Sequence, residues 1–362
     1  MDFKKTLIAT TAIVAIGGIG MATADAASKP KLAISGYYEL FMGIGDGDNT
    51  GNAASGTPAY SEGAEGSFSI IHYGEIRFKV KGKADSGMKW GVYFEDVMND
   101  ADTGGKKDST DEANIWMSGS WGKLELGGQD GPADKVFAGG EKLVHHSPGL
   151  KDAFVDTDGY ADEKMSLTDS SDNSKITYYT PRISGFQAGY AWVPGGTKGS
   201  LGISVSDEPA HEYSLEWKGK VSGGKVRATL GGAFLTSANS ATEAEHNFRA
   251  GLTYGQGPWT IAGGWKHMVN DGDLGEDGNA DGFDIAVAYS GGRYELTLYY
   301  GRLDAEDSDG DDDYYSVGLT GAYNLGKGLT ASASVWLYDL DYSGTGTDTN
   351  GTVGIVALGA KF

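Results

Sequence analysis

The sequence predicts an all-β fold, a transmembrane antiparallel β-barrel of about sixteen strands, and three observations lead there. Runs of roughly ten residues alternate apolar with polar, and each run ends in a turn. Short turns alternate strictly with long acidic connections. Aromatic residues gather beside the short turns, on the apolar parity of each run. In the run Phe68 to Lys81, Phe68, Ile70, Ile76, Phe78 and Val80 share one face and Glu75, Arg77, Lys79 and Lys81 the other. Side chains alternate across a strand, so one face meets lipid and the other water.

The first 26 residues read as a cleaved export signal. Lys4 and Lys5 form its charged region, Leu7 to Met21 its apolar stretch, and Ala24-Asp25-Ala26 its small-residue cleavage site. That stretch is broken by Gly17, Gly18 and Gly20 and falls short of the roughly 20 residues a spanning helix needs. Residues 27–362 then form a single domain. No later segment is apolar enough to cross a bilayer as a helix, which leaves a closed barrel as the way to span one. Half of each barrel strand faces water, so a mean hydropathy of -0.34 with 39% hydrophobic residues is compatible with a membrane protein. The absence of cysteine in an exported chain excludes a disulfide framework, and the 59 glycines suit turns and close backbone packing. Removing residues 1–26 takes away Lys4, Lys5, Asp2 and Asp25, so the net charge stays at -21. Nucleic acid is not an expected partner of such a chain, and cations are.

Taken in order, the first strand sets Leu32, Ile34, Tyr38, Leu40 and Met42 against Lys31, Ser35, Tyr37 and Glu39. The second is Phe68 to Lys81, and the turn Ala84-Asp85-Ser86-Gly87 leads to a third, with Met88, Trp90, Val92 and Phe94 against Lys89, Tyr93 and Glu95. In the fourth, Ala113, Ile115 and Met117 oppose Glu112, Asn114 and Trp116, and Trp121-Gly122 turns into Lys123 to Gly127. Alternation resumes at Lys175 to Thr180 and returns through Pro181 to Gly185 into Phe186, Ala188, Tyr190 and Trp192. Later hairpins close at Ser222-Gly223-Gly224, Gly255 to Pro258, Ser290-Gly291-Gly292 and Asn324 to Gly328, and the last strand is Thr352 to Phe362. Leu40, Phe78, Val92, Leu126, Ile285 and Leu298 are expected to face outward. Trp90, Trp121, Phe186, Trp259, Tyr294, Tyr254, Tyr289, Tyr323 and Phe362 are expected to form one interfacial ring. Short turns on one side and long loops on the other suit an outer-membrane barrel with periplasmic turns and external loops.

Three stretches resemble the Gram-negative porin family: Lys123 to Pro132 (KLELGGQDGP) with the long loop after it, Lys175 to Gln187 (KITYYTPRISGFQ), and Ala357 to Phe362. The resemblance runs along the whole mature chain and is most specific between Gly127 and Trp192. It implies sixteen-stranded homotrimers in the outer membrane of a Gram-negative bacterium, through which small hydrophilic solutes diffuse. It also implies a third external loop folded into the pore and a terminal Phe362 read by the barrel-insertion machinery.

Asp130 to Asn173 stands in the place of that third loop, and a connection this long is functional or disordered. A sixteen-stranded barrel is too wide to discriminate by itself, so an inward loop would set the size limit. The candidate constriction acids are Asp130, Asp134, Glu141, Asp152, Asp156 and Asp158, with Asp162 and Glu163 further along. Arg77, Lys79 and Lys89 share the lumen parity of strands two and three, and the resemblance puts that wall opposite the loop. A transverse field would follow. Arg227, Arg249 and Arg293 are read as inward on later strands.

The acidic segments Asp307-Ser-Asp309-Gly-Asp311, Asp271 to Asp281 and Asp46 to Asn49 offer hard oxygen ligands for loosely held Ca²⁺ or Mg²⁺, bridging to lipopolysaccharide phosphates, although none has EF-hand spacing. No cofactor is required by this reading. His145-His146-Ser147 is not a triad and no G-x-S-x-G elbow exists, so no enzyme is expected. His72 falls on the apolar parity of strand two. The expected function is passive diffusion with a weak cation preference. A solute-specific porin is the alternative, because Tyr37, Tyr93, Trp116, Tyr299, Tyr314, Trp336 and Tyr338 have inward parity and offer stacking faces for sugars. A secreted calcium-binding β-protein is the third reading.

Overall fold

Alternating faces can be satisfied between two solvents only if the sheet has no open edge, and the chain closes on itself accordingly. The structure is a computed structural model and describes residues 28–47, 68–99, 110–148, 170–194, 209–235, 245–269, 279–307, 310–341 and 349–362. Its sixteen strands are β1 (Ser28–Gly47), β2 (Phe68–Lys83), β3 (Lys89–Asn99), β4 (Thr110–Gly119), β5 (Gly122–Gly128), β6 (Ser174–Tyr179), β7 (Phe186–Val193) and β8 (Ala210–Val221). They continue as β9 (Gly224–Leu235), β10 (Glu245–Gln256), β11 (Trp259–Val269), β12 (Asn279–Gly291), β13 (Tyr294–Asp307), β14 (Gly310–Gly326), β15 (Leu329–Asp341) and β16 (Thr349–Lys361). Each strand pairs antiparallel with its sequence neighbours, and β1 pairs with β16 to close the barrel. The expected signal, residues 1–26, lies outside the described residues.

Short turns fix the register. Ser222 and Gly223 both have positive φ, at 49° and 84°, as do Ser184 and Gly185 at 50° and 90°. Two successive left-handed residues match the twist of the strands they join. Where strands begin and end, the structure departs from the apolar–polar pattern. The first strand starts at Ser28 and runs to Gly47, and the last begins at Thr349. Their ends are rich in Gly, Ser and Thr, which pair through the backbone without marking a hydropathic face.

The exposed apolar face is continuous around the barrel. Ile285 and Leu298 are exposed. Phe78 sits directly opposite Phe94, Val92 opposite Ile115, and Leu126 between Ile115 and Ile176, so cross-strand partners share that face. Leu40 lies beside Leu358. Near the short turns Trp121 stacks on Tyr178, Trp259 meets Tyr289 edge to face, and Phe186 with Trp217 and Tyr294 with Tyr323 pack at a tilt. Phe362 extends this girdle over the seam, exchanging backbone hydrogen bonds of 2.9 and 3.0 Å with Gly36.

The connection after β5 enters the barrel. It begins with a five-residue helix, α1 (Pro132–Val136), and a 3-10 turn, Gly140–Leu143, neither visible as periodicity in so short a span. Both pack against the inner faces of strands far away in sequence, α1 on β7 to β9 and the 3-10 turn on β11 to β13.

Candidate functional site

The loop lies in the lumen because the wall beneath it is made to receive a backbone. Gly189, Gly231, Gly251 and Gly264 sit at inward positions of β7, β9, β10 and β11. A Cβ on them would stand 2.9 Å from Pro132 Cβ, 2.9 Å from Ala133 Cα, 2.9 Å from the Ala138 carbonyl carbon and 2.7 Å from Phe137 Cζ respectively. Real Cβ atoms do not approach that closely, so glycine at these positions forms a track for the loop.

Strand by strand, lumen side chains then satisfy the loop's polar groups. The Ser170 amide donates to Glu212 at 3.1 Å, and Arg249 donates to Asp134 at 2.6 Å. Thr253 donates to the Ala138 carbonyl at 3.0 Å and Thr297 to the Leu143 carbonyl at 2.9 Å. Asp284 accepts the amides of Gly140 and Glu141 at 2.8 and 2.6 Å, capping the 3-10 turn. The His145 amide reaches Thr320 at 3.2 Å. His146 is held at both ring nitrogens, 2.8 Å from Ser334 Oγ and 2.9 Å from Ser332 Oγ, with its edge on Phe41. Each serine hydroxyl can donate or accept, so the two contacts hold the ring whichever nitrogen carries the proton, and its pKa is set by the surroundings. Burial, reinforced by His145, pushes it down to about 4.

Beyond His146 the seat turns apolar. Tyr299, Tyr314, Trp336, Leu303, Val353 and Ile355 are essentially fully buried, and Leu143 and Val144 of the loop pack on them. Phe137 is likewise buried, with the Arg249 guanidinium 4.3 Å from its ring centroid. This corrects the expectation that the inward aromatics offer free stacking faces: Tyr299, Tyr314, Trp336 and Tyr338 are covered, and only Tyr37, Tyr93 and Trp116 stay on open wall.

That open wall, β2 to β5, carries charge instead. Arg77 bonds Glu95 at 2.9 Å and also Glu75, while Tyr37 donates to Glu75 at 2.7 Å. Lys123 pairs with Glu125, which Lys135 of α1 approaches at 3.5 Å. Glu112, Asp130 and Asp172 bring carboxylate oxygens within 4.8 Å of one another where the loop leaves the wall. Burial and the like charges of Asp134, Glu112 and Asp172 raise Asp130 to about 7, so it holds a proton for part of the time at neutral pH. Burial opposes ionisation of Asp134 as well, but Arg249 and Lys142 outweigh it and hold that carboxyl below the usual range.

A closed sixteen-stranded barrel narrowed by an inward loop has known counterparts. The sequence profile of the Gram-negative porins matches residues 9–345. The chain belongs to the Gram-negative porin family. Solved structures of the same fold include the anion-selective porin from Comamonas acidovorans, at 14% identity and TM-score 0.65 over 92% of this chain and 100% of that one. A loop-deletion mutant of OmpT, an outer membrane protein of Vibrio cholerae, aligns at 12% identity and TM-score 0.63 over 92% and 99%. A mutant of the Rh. blastica porin aligns at 14% identity and TM-score 0.61 over 92% and 100%. No curated protein matches this chain in sequence. This porin resides in the outer membrane, so its short turns lie on the periplasmic side.

Of the candidate residues, Asp134 and Arg249 meet each other, and Arg227 pairs with Glu216 at 2.6 Å on its own wall. Glu141 pairs with Lys142 at 3.1 Å. Lys79 lies on the open wall over the Tyr93 ring, and Lys89 stands at the periplasmic end of β3 opposite Lys83. Arg293, read as inward, falls in the exposed turn before β13. Asp152, Asp156 and Asp158 lie outside the described residues, as does Asp309, whose neighbours Asp307 and Asp311 end β13 and begin β14. His72 stacks on Tyr38 on the outer face. Sequence reading put Glu75, Glu95 and Glu112 on the polar face and picked out Asp134 and Arg249, but it assigned no site role to those carboxylates or to Glu125 and missed the other loop anchors. Glycine recurring at inward parity on β7, β9, β10 and β11 was the available signal for the seat.

Proposed function

We propose that this porin is a general-diffusion channel, passive and non-enzymatic, working as a homotrimer with a weak cation preference. The observation behind it is the seated loop: its described residues pack along the β7 to β15 side of the lumen, and the charged β2 to β5 wall stands apart from that seat. Small hydrophilic solutes would pass along that wall, and the net charge of -21 raises the local cation concentration. The anion selectivity named for the Comamonas protein is a property of that protein; at 14% identity the likeness concerns the fold. Phe362 is proposed as the assembly signal, and its deletion is expected to lower the yield of assembled barrels while leaving the conductance of each unchanged.

Single-channel recording of purified protein in a KCl gradient tests this reading. Open channels with a reversal potential of cationic sign and flux linear in neutral sugar concentration support it. Anionic sign overturns the selectivity, and absence of channels overturns the function.

A further inference from the structure

The lumen face of β2 to β5 encloses, together with Lys135 of the loop, a hollow of about 480 Å³. Four lysines line it, Lys79, Lys81, Lys123 and Lys135, against two carboxylates, Glu112 and Glu125. The carboxylates do not cancel the lysines evenly. Glu125 takes up Lys123 and Lys135. Among the described residues Lys79 and Lys81 make no ion pair; Lys79 rests 5.0 Å from the Tyr93 ring centroid, and Lys31 stands opposite Lys81 on β1. Arg77, one step along the same face, shows the contrast, because Glu75 and Glu95 both bind it.

Lys79 and Lys81 are two residues apart on one strand face, so their stems rise roughly 6.5 Å apart. Two ammonium groups at that spacing, with no ion-paired carboxylate among the described residues and low-dielectric aromatic rings beneath, form a positive field that a single chloride neutralises only in part. An anion with two or more negative charges a few ångströms apart fits both ends. We propose that this hollow is a binding site for small polyvalent oxyanions, polyphosphates or polycarboxylates. The proposal deepens the channel reading and rests on it. A weak cation preference does not conflict with it: selectivity sums charge along the whole path, while binding reads the local field.

The hollow opens between loop level and the periplasmic turns, since β2 ends at Lys83 and the turn follows. Pyrophosphate and citrate are the probes, each added at millimolar concentration to channels conducting in KCl. Both should reduce the current, more strongly from the periplasmic side, with acetate as an inert control. K79Q/K81Q should raise the half-blocking concentration about tenfold, equivalent to about 1.4 kcal/mol, while K79R/K81R keeps the block. K225Q, on the exposed start of β9, should block like the parent protein. Block by one probe alone would assign the site to phosphates or to carboxylates. Conducting channels that neither anion blocks, or a block unchanged in K79Q/K81Q, overturn the proposal and leave the channel intact. Failure of the parent protein to form channels overturns both.

Discussion

From β7 round to β15 the lumen wall presents glycine, hydroxyls, buried aromatics and a few charges turned onto the loop, such as Glu212, Arg249 and Asp284, whereas from β2 to β5 it presents lysine, arginine and glutamate. Both halves are built by the same alternating strands in the same water-facing parity. The difference lies in what each must touch. A loop backbone can leave water only if its amides and carbonyls find partners, and Thr253, Asp284, Thr297 and Thr320 supply them one strand after another. The facing half touches solution, so its charges stay hydrated or pair with neighbours. A narrow pore therefore needs two chemistries on one cylinder: a seat that holds the loop and a wall that meets the solute.

The largest break in that division is expected at Phe137, which the seat buries almost completely. F137A removes its contact with Arg249 and leaves a cavity beside Gly264, at a cost of about 3–5 kcal/mol. Loop docking should fail before the barrel does. Single-channel conductance should rise and the loop should become cleavable by protease in detergent, while heat-stable barrel mobility on gels persists. Unchanged conductance would mean that Phe137 does not hold the loop.

His146 offers a reversible version of the same break. Its docked value is depressed from the ordinary 6.5 to about 4, so an undocked ring binds a proton more readily throughout that interval. Docking is therefore at full strength above the ordinary value, weakens as pH falls through the interval, and levels off below about 4. The total is on the order of 3 kcal/mol. Other titratable or charged groups near this corner are His145, itself pushed down by burial, with Glu39, Glu295 and Lys361. H146Q keeps a donor and an acceptor for Ser332 and Ser334 but cannot titrate. Conductance noise measured from pH 7 to pH 4 should grow in the parent protein and stay flatter in H146Q; equal growth in both would place the response on another loop group, His145 or Asp130.

How much of this was legible in the sequence follows the same division. Strand faces were readable because two solvents write a period of two, and Phe78, Ile285 and Leu298 lie outward as their parity requires. The loop's position was readable from its length. Its seat was harder to see, since the signal there is missing side chains, and a glycine that receives a backbone looks like one in a turn. Arg77 was readable as a lumen residue but not as a paired one, because Glu95 comes beside it only through the register of β2 with β3. The aromatics under the loop have the parity of those on open wall. Only tertiary contact separates Trp336 from Trp116.

The glycine track can be tested directly. G251V would place a branched side chain against the Ala138 backbone, already 2.9 Å from where a Cβ would stand. Overpacking of this kind costs about 1–3 kcal/mol, less than losing Phe137, so partial loop displacement is expected. Conductance histograms should show a second, larger level, and a single parent-like level would show that the loop has slack at this point.

The smallest expected effect separates paired from unpaired charge on the open wall. R77Q removes a guanidinium whose one positive charge is shared between Glu75 and Glu95, so it unmasks carboxylate charge that had been partly compensated. K79Q removes a charge that is ion-paired with no carboxylate among the described residues, so its field reaches the solute path. Both should move the reversal potential toward stronger cation preference. They should differ in salt dependence: the K79Q shift comes from an exposed charge and should fade as ionic strength rises and the Debye length shrinks to about 3 Å at 1 M. The R77Q shift persists further, because Glu75 and Glu95 are buried against the tyrosines Tyr37, Tyr73 and Tyr93 and are screened less. Reversal potentials for both variants at low and high KCl decide it. Identical salt dependence would mean that Arg77 acts as a free charge, and the pairing on this wall would then carry no weight in selectivity.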